Sequence, residues 1–125
     1  MISKIHSTSI VVADQDAALD FYVNTLGWEK AMDAMVGGVM RWLTVVPPGA
    51  ATQLVLAARS AMGSENLPQG GYTGISLNTP DIEATVEALK ARGVRFKQPV
   101  EVMPWGDKAT WFYDLDGNEF FLVEG

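Results

Sequence analysis

The chain contains no cysteine. A disulfide framework, a thiolate metal centre and a cysteine nucleophile are therefore excluded. Histidine is almost absent too, with His6 the single one. Basic residues are few: 9 Lys and Arg stand against 15 Asp and Glu, a net charge of −6 and a pI near 4.6. The basic side chains are scattered, which argues against nucleic acid, whose phosphates call for clustered Lys and Arg. An acidic surface can draw in cationic ligands, although solubility alone also accounts for it. No apolar run approaches 18 residues and no charged-then-apolar leader is evident, so a membrane role is not expected and the cytoplasm is the expected location. There is no Gly-rich phosphate loop, nucleophile elbow or HExxH.

What is present is an ordinary globular composition, 48% hydrophobic and 19% charged over 125 residues. That length suits one domain or two small fused units and buries roughly two-thirds of the unfolded surface. Residues 3–12 alternate and are β-branched, which predicts a strand. Asp14 reads as the N-cap of a helix over DQDAALDFYVNTLG that Gly27 stops. Extended segments follow at 28–34, 39–46 and 52–58, separated by Gly37-Gly38 and by Pro47-Pro48-Gly49-Ala50. Periodicity lapses over RSAMGSENLPQGG, 59–71, whose composition suits a linker. The pattern then restarts: a strand at 72–79, Pro80 in a first helical turn, a helix DIEATVEALKARG with Ile82, Val86 and Leu89 on one face, and further extended segments. The chain ends in WFYDLDGNEFFL, a β-hairpin in which Asp116-Gly117-Asn118 supplies the positive-φ positions. Neighbours on a strand face opposite sides, so Phe120 and Phe121 cannot both be core.

The order β-α-β-β-β thus occurs twice. Asp14 and Asp81 lie 67 residues apart, Gly27 and Gly93 lie 66 apart, and Gly49 and Gly117 lie 68 apart. Constant spacing of caps and turns is what a duplicated unit leaves behind. The expected architecture is α+β, with two tandem βαβββ modules (1–58 and 72–125, joined by 59–71) curled around a shared cleft, each helix covering one sheet face.

With ADQDAALDFYVNTLGWE (13–29) in one half and YDLDGNEFFLVE (113–124) in the other, the duplicated unit resembles the vicinal oxygen chelate superfamily. That family includes glyoxalase I, bleomycin-resistance proteins and extradiol dioxygenases. The resemblance implies a cleft in which enzymes of the family hold one divalent metal. Carried over by the spacing of "LDFYVNTLGW" and "DLDGN", the four ligand positions fall on Ser7, Val55 (with Gln53 the other candidate), Gly74 and Phe121. Ser7 and Gly74 lie 67 apart and Val55 and Phe121 lie 66 apart, which matches the duplication offset. A hydroxyl, two apolar side chains and a glycine do not form a transition-metal site, which needs imidazole and carboxylate donors. No metal, cofactor or catalytic residue is therefore implied, and Phe121 is expected to face the cleft while Phe120 and Leu122 face the helix.

In binding members of the family, aromatic side chains sandwich planar ligands. Trp42, Trp105, Trp111 and Phe121 are the candidates here, with Tyr72 a further one, whereas Trp28 reads as packing. Met32, Met35, Met40 and Met103 suit core packing more than a pocket lining. Ser7, Ser9, Gln53 and Arg41 can supply orienting polar contacts. For His6 the reading is a surface or helix-side residue, and for Asp114 and Asp116 it is turn chemistry. The expected function is metal-free binding of an aromatic or cationic small molecule by a homodimer. The alternative, a metal-dependent lyase, isomerase or dioxygenase, requires a different register using His6, Gln53 and Glu119. A structural partner protein with an empty cleft is a third reading.

Overall fold

Asp14 begins the first helix by accepting the Ala17 N–H on its side chain at 3.0 Å, which satisfies one of the four donors a helix start leaves free. In the computed structural model, which describes residues 1–61 and 63–125, Asp81 opens the second helix in the same way, accepting from Ala84 N at 3.1 Å. Residue 62, within the stretch read as a linker, lies outside the described residues. The chain separates into two compact units, Met1–Gln69 and Gly70–Gly125.

The first unit runs β1 (Ser7–Val12), α1 (Gln15–Asp20), β2 (Glu29–Val36), β3 (Met40–Val46) and β4 (Gln53–Ala58). Its sheet has the order β1-β4-β3-β2, with β1 parallel to β4 and the other pairs antiparallel. The expected single α-helix over residues 14–27 is shorter. After Asp20 the chain widens into a π-helical turn, Phe21–Thr25. The wider winding lets two adjacent aromatics, Phe21 and Tyr22, both bury, and Tyr22 meets the Trp28 ring at 5.3 Å. Trp28 is thus packing, as the sequence suggested. Helix α1 covers the face that carries Ile10, Leu43, Val45, Leu54 and Leu56, all buried. Gln15 ties it there by donating to the carbonyl of Leu56 at 2.8 Å.

The second unit runs β5 (Gly71–Thr79), α2 (Ile82–Ala91), β6 (Arg95–Phe96), β7 (Glu101–Val102), β8 (Lys108–Tyr113) and β9 (Asn118–Glu124). Its sheet repeats the plan as β5-β9-β8-β6, with β5 parallel to β9 and β7 paired to β8. Each unit is a mixed sheet with one helix, an α+β fold. Ile82, Val86 and Leu89 are the buried stripe of α2. Pro80 precedes the cap rather than entering the first turn, because the Asp81 side chain takes the capping position.

The β8–β9 hairpin departs from its expected turn chemistry. In this turn Gly117 alone takes a positive φ, 77°, and among the described residues no non-glycine residue does. Asp116 and Asn118 stay on the ordinary side of the map because Asp114 organises the turn. Its buried carboxylate accepts from Asp116 N, Asn118 N and Asn118 Nδ2, each at 2.9 Å. Asp114 therefore has the local role its spacing implied.

Candidate functional site

Each sheet has a face its helix does not cover. In the first unit, register fixes who shares it. Ser7 pairs with Gln53, Ser9 with Val55, and Val55 with Thr44. With the alternation along each strand, Ser7, Ser9, Gln53, Val55, Trp42 and Thr44 all stand on the open face. A pocket of about 60 Å³ opens there, floored by Ser9, Met40, Trp42, Val55 and Ala57. Its wall is the segment after β4, through Ala61, Gly63, Ser64 and Leu67. That segment groups with the first unit and is pinned rather than loose. The Arg59 guanidinium donates to the carbonyls of Ser64 at 3.0 Å and Leu67 at 2.5 Å, and the buried Ser64 hydroxyl donates to Ala58 O at 3.0 Å.

Among the described residues, two side-chain polar atoms on strands of this sheet are buried without a hydrogen-bond partner: Thr44 Oγ1 and Gln53 Oε1. Such atoms are uncommon, since an unpaired buried donor or acceptor costs roughly 1–3 kcal/mol. Thr44 was not singled out from the sequence, although its place two residues after Trp42 put it on that residue's face. Nothing in the polar composition of 59–71 revealed the wall either, because Arg59 makes it through backbone carbonyls.

Arg41 borders the pocket, but its guanidinium serves the opposite face. It donates to Asp33 through Nε and Nη2, both at 2.9 Å, and to Asp16 of α1 at 2.7 Å. It is a staple between helix and sheet, not a free orienting cation. The paired charges hold the Asp33 carboxyl below the usual range, chiefly through the Arg41 hydrogen bond, and push Arg41 up.

In the second unit, register sets Trp111 opposite Phe121 and Phe112 opposite Phe120. Phe120 is fully buried and stacks on Phe112 at 5.5 Å, which in turn meets Phe96 at 5.9 Å. The Lys90 ammonium of α2 lies 5.8 Å from the Phe96 ring, so this ladder is on the helix side. Phe121 and Trp111 form a pair at 4.9 Å on the other face, half-buried. The two phenylalanines do face opposite sides. Gly74 sits where β5 slips register between Tyr72 and Ser76, with φ +74°, a conformation that disfavours any side chain there. Trp105 stands on the loop before β8, 63% exposed, with its indole N–H on Asp107 at 3.0 Å. Tyr72, Met32 and Met35 are exposed, Met103 is buried, and Met40 joins the pocket floor.

The four residues onto which the resemblance carries the family's metal ligands, Ser7, Val55, Gly74 and Phe121, offer one hydroxyl and neither imidazole nor carboxylate, so these side chains do not fit a transition-metal ion. His6 is exposed, and Glu119 pairs with Lys97 at 3.4 Å. Among the described residues, three acids have oxygens within 4.8 Å of one another: Asp81, Glu83 and Glu124. They belong to the start of α2. Asp81 caps it, Glu124 accepts from Ile82 N at 3.0 Å, and Glu83 pairs with Lys108 at 3.0 Å.

Comparison with known proteins agrees with this layout. Residues 4–122 match the model of the Glyoxalase/Bleomycin resistance protein/Dioxygenase superfamily. A crystal structure of a member of that superfamily from Sphaerobacter thermophilus DSM 20745 is 56% identical, with TM-score 0.94, covering 99% of this chain and 98% of that one. TnmS3, an antibiotic binding protein from Streptomyces sp. CB03234, is 36% identical with TM-score 0.84, covering 98% and 96%. YetH of Bacillus subtilis (strain 168) is 36% identical over 99% of this chain and 100% of its own length.

Proposed function

The chain belongs to the Glyoxalase/Bleomycin resistance protein/Dioxygenase superfamily, and we propose that within it this protein binds a small molecule without a metal and without chemistry. The observation that carries the reading is the open face of the first unit. It combines an indole, a small apolar pocket and several short polar side chains, and Ser7 and Val55, where the resemblance would put metal ligands, bring neither imidazole nor carboxylate. Such a face holds and orients an organic guest by apolar contact and a few polar bonds. The antibiotic-binding neighbour TnmS3 lends support, at 36% identity across nearly the full length of both chains. The aromatic pair Trp111 and Phe121, and Trp105 on its loop, offer further stacking surface, while Gly74 keeps its own position free of a side chain. The exposed edge strand β2, with Met32, Met35 and Val36 open, supports a homodimer, and no described helix is long and apolar enough to cross a membrane.

Native mass spectrometry of untreated protein tests this. The expected spectrum is two bare chains, or two chains plus an organic mass. One divalent ion per chain, removable by chelator, would overturn the metal-free reading in favour of an enzyme of the same superfamily.

A further inference from the structure

We infer that Arg59 is the positioning residue of the pocket in the first unit: it fixes the wall against which a guest on the pocket floor is held. This rests on the binding function just proposed and assigns a residue on which that binding depends.

The inference starts from what builds the wall. Ala61, Gly63, Ser64 and Leu67 line the pocket together with the floor residues Trp42 and Val55. Burial does little to hold them there. Among the described residues from 59 to 69, Ser64 alone is buried, and its side chain is polar. A segment with so little buried apolar surface opens locally at low cost unless polar bonds fix it. Two side chains supply those bonds. Arg59 Nη1 donates to the carbonyls of Ser64 at 3.0 Å, Glu65 at 3.4 Å and Leu67 at 2.5 Å. The Ser64 hydroxyl lies 3.0 Å from Ala58 O and 2.5 Å from Ala61 O. Ser64 and Leu67 are themselves lining residues, so the guanidinium acts on the pocket through the backbone that carries them.

The other bonds of Arg59 leave it free for this part. It is exposed, it does not line the pocket, and no carboxylate pairs with it among the described residues. Arg41, by contrast, is committed to Asp16 and Asp33. A hydrogen bond from a charged donor is roughly twice as strong as a neutral one. Without Arg59 the wall keeps the Ser64 hydroxyl and two turn bonds, Ser64 N to Ala61 O and Leu67 N to Ser64 O. A guest would then keep its floor and lose a fixed wall.

The test compares the intact protein with Arg59→Met, using toluene and benzoate as probes. Each is titrated into ¹⁵N-labelled protein and followed at the amides of Ser9, Trp42 and Val55. Arg59→Met should weaken toluene about tenfold and leave the urea midpoint in place. Amide exchange should quicken at Ser64 and Leu67 and hold at Val55. Arg59→Lys, which keeps the charge and three donors on a shorter stem, should recover part of the toluene affinity. Toluene affinity unchanged by Arg59→Met overturns the inference, and a loss of benzoate alone would make Arg59 a direct contact for an anion instead. Unchanged exchange at Ser64 and Leu67 also overturns it. So does a fallen urea midpoint with faster exchange at Val55, which would mean that Arg59 supports the whole unit. Each of these leaves the binding function standing. No shift with either probe in the unaltered protein would count against both.

Discussion

The two units share a plan on their helix sides and differ on their open faces. Each helix is capped by an aspartate at the same offset, each sheet has its first strand parallel to its last, and each helix is stapled to its sheet by an ion pair. The helix side is where packing density and capping constrain the chain, so two copies of one unit arrive at the same solutions. The open faces have no such constraint. In the first unit that face carries Ser7, Ser9, Thr44, Gln53 and a pocket. In the second it carries the ring pair Trp111 and Phe121, with an irregular edge at Gly74. The two units share one scaffold, and their chemistry differs where that scaffold leaves a face open.

The sharpest way to break this contrast is to truncate neighbours that face opposite sides. Phe120→Ala should destabilise the protein by about 3–5 kcal/mol, because it empties a fully buried ladder between Phe112 and α2. Phe121→Ala should cost about 1 kcal/mol, the scale of a single ring pair at a half-buried site. Urea midpoints at an unchanged slope read the difference. Similar losses for both would mean that the open face of the second unit is itself core, and that Phe121 is no candidate for ligand contact.

Much of this contrast was legible in the sequence, and the exceptions have physical causes. Alternation separated Phe120 from Phe121, and the repeat of Asp14 at Asp81 located both caps, because these are local rules. The π-helical turn at Phe21–Thr25 was not legible, since an α-periodic pattern and a π-wound one differ by a fraction of a residue per turn. Arg41 was open between two roles, because strand alternation gives relative faces, and only α1's position made its face the helix side. The segment after β4 read as a linker because its order comes from Arg59 and Ser64 bonding backbone carbonyls, which composition does not record.

The caps offer a smaller test of equivalence. Asp14→Ala and Asp81→Ala should each cost about 1 kcal/mol, since each removes one side-chain acceptor from a helix start. Amide exchange at Ala17 and Ala84 should quicken locally in the matching variant. A much smaller effect at Asp14 would mean that the short α1, six residues against ten in α2, is held by Gln15 and Asp16 rather than by its cap.

The smallest expected effect is on acid stability, and it distinguishes an ion pair within the first sheet from the one that staples α2. Hydrogen bonding to Arg41 lowers the Asp33 carboxyl, and hydrogen bonding to Lys108 lowers Glu83. A carboxyl lowered by folding binds fewer protons in the native state than in the unfolded one. Its contribution is therefore complete above the usual carboxylate range, near about pH 4, and drains away as pH falls through the folded value. Asp33→Asn and Glu83→Gln should both flatten the fall in stability below that range, measured as urea midpoint against pH. The Asp33 variant should flatten it more. Its side chain is 25% exposed against 58% for Glu83, and its partner also holds Asp16, so solvent screens it less. Raising the salt should weaken the Glu83 contribution first. The reverse ranking would mean that the single exposed pair between α2 and β8 holds more firmly than the forked guanidinium of β3 holds Asp33 on β2.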